Sequence, residues 1–144
     1  MRGLDKGGIR QQLSNTKNEL RALVVDDDSQ IARLIAATLS QLGISDITIV
    51  NDGAQALARV ETVQQPFSFV VCDWMMPNMD GLEFLERFRN IHPDTPFVML
   101  TAKTDASAFN KAKRLGANYF LMKPLAPDDL KMRLKAVIDV ACAS

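Results

Sequence analysis

The sequence predicts an α/β domain built as five strand–helix repeats, a (βα)5 three-layer sandwich with a parallel sheet between helices. Three observations carry this expectation. Five short apolar runs rich in Val, Ile, Leu and Phe, "RALVV", "DITIV", "FSFVV", "PFVML" and "ANYFLM", recur along the chain. They are near-continuous rather than alternating, as strands covered on both faces are. Helical periodicity fills each gap, and a parallel pairing needs a crossover of about a dozen residues or more. The unusual polar residues stand where the runs end.

Taken in order, residues 1–20 are polar, hold a Gly7-Gly8 pair and show little apolar periodicity, so they read as a flexible N-terminal extension before a domain at 21–144. The first strand, 21–25, runs into Asp26, Asp27 and Asp28. Asp28 and Ser29 suit a helix N-cap, Ile31, Leu34, Ile35, Leu39 and Leu42 follow at helical spacing, and Gly43 supplies the stop. The second strand, 46–50, ends at Asn51-Asp52-Gly53 and is followed by a helix over Ala54–Val60. The third, 67–71, leads through Cys72 into Asp73; Pro77, Asn78 and Asp80-Gly81 make a turn before a helix over Leu82–Phe88. The fourth, 96–100, ends at Thr101 and precedes a helix over Ala106–Leu115 closed by Gly116. The fifth, 117–122, ends at Lys123. A last helix starts at Pro127 and runs to about Val140, with Asp128 and Asp129 set against its positive end.

Composition narrows the function classes. A chain of 144 residues, 47% hydrophobic and 24% charged, suits one globular domain. It has no run of the roughly 20 apolar residues that a membrane helix needs, and no apolar leader, so a cytoplasmic protein without membrane insertion is expected. The two cysteines lack metal-ligand or CxxC spacing and read as plain thiols. Charge is uneven: residues 22–102 carry four Lys or Arg against eleven Asp or Glu, while the segments on either side are basic. An acidic middle points to an acidic site and away from direct nucleic-acid binding.

In open α/β sheets ligands bind beyond the carboxyl ends of the strands. If the first and third strands are neighbours, Asp26, Asp27 and Asp73 share one crevice. Like charges so close raise one another's pKa unless a cation stabilises the ionised forms. Oxygen-only ligands indicate a hard ion, Mg2+ or Mn2+, which keeps waters and accepts a phosphate oxygen. Lys123 and Thr101 are the donors that charge on a transferring phosphoryl group requires, and Asp73 is then placed to be a nucleophile forming an aspartyl-phosphate.

At these residues the sequence resembles a known family. "ALVVDDDSQIARLI", "VVCDWMMPNMDGLEFL", "PFVMLTA" and "ANYFLMKPL" look like the receiver domains of two-component response regulators, most closely the single-domain, CheY-like chemotaxis type, over roughly residues 20–142. The resemblance implies a flavodoxin-like sheet of order 2-1-3-4-5. It implies that Asp73 is the phosphoacceptor, charged by a sensor histidine kinase or a phosphotransfer protein. Asp26 and Asp27 form the acidic pair, with Asp27, Asp73 and the Met75 backbone carbonyl on Mg2+. Thr101 is the switch hydroxyl, Lys123 the phosphate-binding lysine with a cis bond to Pro124, and Phe120 the switch aromatic. Ala102 leaves room for the phosphate, while Met75 and Lys103 tune its lifetime. The output is a downstream protein effector read on the face of the fourth helix, fifth strand and fifth helix, from a monomer or a phosphorylation-dependent dimer. No enzyme activity is expected beyond self-phosphorylation and autodephosphorylation at Asp73.

Plainer readings stand beside these. Asp28 is an N-cap; Asp52 is a turn residue; Asp80-Gly81 starts a helix; His92 is a loop residue; Met75, Met76 and Met79 line a loop. The basic residues of the last two helices, such as Lys111 and Arg133, are solvated faces. Phe replaces Tyr at the switch aromatic, which removes a hydroxyl that a partner could bind. Rival functions are a phosphorylation-independent pseudo-receiver, a shuttle passing phosphate to a histidine phosphotransfer protein, and a haloacid-dehalogenase-type phosphatase. The last needs an Asp where Met75 stands. A flavin binder would need a Ser/Thr/Gly-rich loop after the first strand, where "DDDSQ" stands.

Overall fold

A computed structural model describes residues 16–102 and 106–143. Five parallel strands, β1 (Arg21–Val25), β2 (Asp46–Val50), β3 (Phe69–Asp73), β4 (Phe97–Thr101) and β5 (Tyr119–Met122), form one sheet of order β2-β1-β3-β4-β5. Five helices alternate with them: α1 (Ser29–Gln41), α2 (Gly53–Thr62), α3 (Gly81–Ile91), α4 (Ala106–Leu115) and α5 (Pro127–Ala143). The (βα)5 three-layer class and the strand order thus match the expectation. Of the expected extension, residues 16–20 are described: a 3-10 turn over Lys17–Glu19 leads to Leu20, which is buried in the core. Residues 1–15 lie outside the described part.

Alternate residues of each inner strand serve opposite cores, because successive side chains point to opposite faces. Ala22 and Val24 pack with Phe69, Val71, Val98 and Leu100 beneath α1 and α5. Leu23 and Val25 pack with Val70, Cys72, Phe97 and Met99 beneath α2, α3 and α4, where Phe84, Phe88 and Phe97 meet with ring centroids 5.6–5.9 Å apart. Both faces being covered is why β1, β3 and β4 read as unbroken apolar runs. The edge strands depart from that reading: Ile49 of β2 is 41% exposed and Met122 of β5 45%, since each lacks a neighbour on one side.

The caps expected at Asp28 and Asp80 are present, and Asp52, expected as a turn residue, caps a helix as well. Asp28, Asp52 and Asp80 cap α1, α2 and α3, each accepting backbone N–H bonds from the first turn. Gly43 and Gly116 close α1 and α4 at φ of 102° and 110°, a left-handed conformation that glycine adopts at no steric cost. At the amino ends of β4 and β5, Arg89 of α3 donates to the Gly116 carbonyl through Nε and Nη2, to the His92 carbonyl and to Asn118 Oδ1, tying α3 to the turn before β5.

Candidate functional site: a carboxylate crevice at the strand ends

The β1–β3 register pairs Val25 with Cys72, so Asp26 and Asp73 stand level, one residue further on, at the carboxyl edge of the sheet. The β4–β5 register pairs Thr101 with Met122, and the Lys123 N–H donates to the Thr101 carbonyl at 2.9 Å, which brings Lys123 to the same edge. Four strands therefore bring Asp26, Asp73, Thr101 and Lys123 to one edge of the sheet. Asp26, Asp73 and Thr101 are 1%, 6% and 5% exposed, while Asp27 faces solvent.

Lys123 Nζ lies 3.2 Å from Asp73 Oδ1 and 3.6 Å from Asp26 Oδ2. Asp73 Oδ1 also accepts from the backbone N–H of Trp74 at 2.9 Å. Asp26 Oδ1 accepts from the Asp28 N–H at 2.9 Å, but its buried Oδ2 has no hydrogen-bond partner. Burial pushes the Asp26 carboxyl up, the Asp28 N–H pulls it back, and the facing Asp73 charge adds to the rise, leaving it at about 6. For Lys123, burial alone would lower the ammonium, but Asp73 and Asp26 together outweigh it and hold it above its ordinary value. Burial likewise drives the Cys72 thiol well up, so it behaves as core and not as a nucleophile.

One lysine does not balance three carboxylates. Asp26, Asp27 and Asp73 each offer an oxygen within 4.8 Å of the others, and the orphaned Asp26 Oδ2 is a buried acceptor awaiting a partner. All the donors are hard oxygens, so the set fits a divalent cation of the Mg2+ kind.

The turn after β3 is shaped tightly around this crevice. Gly81 N–H donates to the Trp74 carbonyl at 2.7 Å, and a Cβ at Gly81 would stand 2.3 Å from the Asp73 carbonyl oxygen. Met75, two residues past Asp73, is 62% exposed. Trp74 is half-buried against the α2–α4 core. The Lys123-Pro124 bond is cis, as the resemblance implies. Phe120 is half-buried on β5 and packs on Phe109 of α4 with centroids 4.2 Å apart. Ala102 is exposed beside Thr101, and Lys103 lies outside the described residues. Sequence reading treated Asp52 as a turn residue only; it is buried, and the Asp-Gly pair ahead of a helical pattern was the signal for its cap, though nothing local marked its long-range bond to Asn78.

A doubly wound α/β sheet with an acidic cluster, a lysine and a threonine at its carboxyl edge is the architecture of phosphoryl-handling signalling domains. Residues 22–135 match the response regulator receiver domain, and the chain belongs to that family. It is 37% identical over 122 residues to the probable chemotaxis protein CheY of Rhizobium etli, spanning 83% of this chain and 92% of that protein. It is 31% identical over 121 residues to chemotaxis protein CheY1 of Helicobacter pylori, spanning 83% and 97%. Among solved structures, chemotaxis response regulator CheY4 of Vibrio cholerae superposes with a TM-score of 0.74 at 32% identity, covering 82% of this chain and 98% of that one. A CheY-like receiver domain protein of Methanospirillum hungatei gives 0.76 at 28% identity, covering 85% and 95%. Among the described residues no helix is long and apolar enough to cross a membrane.

Proposed function

We propose that this chain is a cytoplasmic, chemotaxis-type response regulator whose residues 21–144 form a phosphorylatable receiver carrying an extension at 1–20. The observation that carries the reading is the Asp26–Asp73–Lys123 constellation, with a buried carboxylate pair facing one ammonium. That several relatives are named chemotaxis proteins supports the pathway class.

In this reading an Asp73 carboxylate oxygen attacks the phosphorus of a phosphohistidine on a partner kinase or phosphotransfer protein. The P–O bond forms as the P–N bond breaks, and the imidazole nitrogen leaves with the electron pair. Asp26 and Asp27, with Asp73 and the Met75 carbonyl, would hold Mg2+. That ion supplies charge neutralisation between the attacking and leaving groups. Lys123, already 3.2 Å from Asp73 Oδ1, is positioned to pair with a phosphoryl oxygen, and the Thr101 hydroxyl donates to another. A phosphoryl group adds about −1.5 to −2 charge, and Thr101 follows it inward. Phe120 then changes its packing, and the α4–β5–α5 face presents a different shape to an effector. Met75 and Lys103 set water's access to the phosphate.

Trp74 is the sole tryptophan, its backbone N–H bonded to Asp73 Oδ1, and serves as the probe. Mg2+ titration should give a saturable fluorescence change, and acetyl phosphate a second change that requires Mg2+ and vanishes in Asp73→Asn. No response to either addition in the wild-type chain sinks the phosphoryl-switch reading and favours a phosphorylation-independent interaction module.

A further inference from the structure

The turn after β2 carries a buried carboxylate that the reading above leaves without a role. Asp52 is 6% exposed, and its Oδ1 accepts from the Gln55 N–H at 2.8 Å, which completes the cap of α2. A cap needs only that one oxygen. The other, Oδ2, reaches beyond its own turn and accepts from Asn78 Nδ2 at 2.9 Å. The Gln55 N–H first, and Asn78 second, hold this carboxyl below its ordinary value, so it stays a charged acceptor at neutral pH.

Among the described residues Asn78 alone, apart from glycines, has a left-handed backbone, with φ of 68°. Such a conformation costs a residue with a side chain free energy and persists where its surroundings impose it. The same turn grips the next residue too. Gly53 N–H donates to the Met79 carbonyl at 3.1 Å, an approach so close that a Cβ at Gly53 would stand 2.6 Å from that oxygen. Residues 78 and 79 belong to the loop that starts at Trp74 and carries Met75.

We infer that Asp52 is a positioning residue for the cation site: its bond to Asn78 fixes the course of the 74–80 loop and thereby the Met75 backbone carbonyl. This rests on the Mg2+-dependent reading of the crevice. A loop ordered before the ion arrives does not charge its ordering entropy to binding, so the latch raises affinity without touching the ion.

Two substitutions cut the bond from opposite sides while sparing its neighbours. Asp52→Ser keeps a capping oxygen for Gln55 but is too short to reach Asn78. Asn78→Gly removes the amide and tolerates the left-handed backbone. Trp74 fluorescence titrations should show each variant binding Mg2+ about 10-fold more weakly, as loss of an outer support to a metal ligand does. The double variant should be no weaker than either single one, because both remove the same bond. Arg89→Ala, altered on the far side of the molecule, is the control for lost stability alone. If wild type binds Mg2+ and both single variants bind it equally well, or if the two losses add in full, the positioning role is wrong. If wild type shows no Mg2+ response, the function reading itself is overturned. Asn78→Gly leaves the α2 cap intact and decides the matter alone should Asp52→Ser not fold.

Discussion

Asp26 is the residue at which fold and function pull hardest against each other. Its carboxyl is fully enclosed, yet only one of its oxygens is hydrogen-bonded. Its pKa in the fold, about 6 against an ordinary 3.8, means the folded state prefers the neutral form. The stabilisation linked to that preference is complete below the unfolded value and is lost as pH rises through about 6. Asp26→Asn keeps a neutral group at every pH. Without divalent cations the variant should therefore gain on wild type between about pH 4 and pH 7, by an amount on the order of 2 kcal/mol. Paired urea melts in EDTA at the two pH values check this. With saturating Mg2+ the ranking should reverse if the proposed site is right, because Asp26→Asn removes one of the three clustered carboxylates.

At the scale of elements, the two ends of the sheet divide the work. The carboxyl edge holds charge in an incompletely paired state, while the amino edge is stapled by Arg89. Removing the Arg89 side chain strips two carbonyls and Asn118 of a charged donor and exposes the seam between α3 and β5. Arg89→Ala should cost about 2 kcal/mol in urea unfolding, yet leave the Mg2+ midpoint unchanged. A shift in that midpoint would mean the two edges are coupled. Element boundaries were the least legible part of the sequence, for physical reasons. "FSFVV" suggests a strand from Phe67, but pairing with β1 starts at Ala22 opposite Phe69, and Phe67 instead lies under the Arg21 guanidinium at 4.8 Å. "ANYFLM" suggests a start at Ala117, but Ala117 N–H closes α4 on the Ala112 carbonyl and the Asn118 side chain binds the Phe97 N–H. Hydrophobicity marks burial, and these residues are buried or bonded without being in the ladder.

Across the whole molecule, the candidate site was legible because its members are charged or hydroxyl-bearing residues at the ends of apolar runs, a pattern that needs no knowledge of contacts. Its supports were not. The Asp52–Asn78 bond joins turns far apart in sequence, and no composition rule points from one to the other. The exposure of β2 and β5 also escaped the reading, since a parallel edge strand keeps the apolar composition of its inner neighbours. A ligand that binds only the folded state stabilises all of it by mass action. Mg2+ at 100 times its dissociation constant should thus raise global stability by about 2.7 kcal/mol, measured as a shift of the whole urea transition. An equal concentration of Na+ should leave the transition in place.

The crevice draws on residues from both ends of the domain. During synthesis the three carboxylates, two in the turn after β1 and one at the end of β3, emerge well before Lys123, the cation that faces Asp26 and Asp73 across the crevice from the far end of β5. Until that last strand docks, the acidic cluster has no ammonium opposite it, and the Thr101 carbonyl lacks the Lys123 N–H. Domains generally complete their folding as units, so a nascent chain halted before β5 holds Asp73 without the ammonium that faces it. In the phosphoryl-switch reading, competence to carry a signal then belongs only to chains that have completed β5.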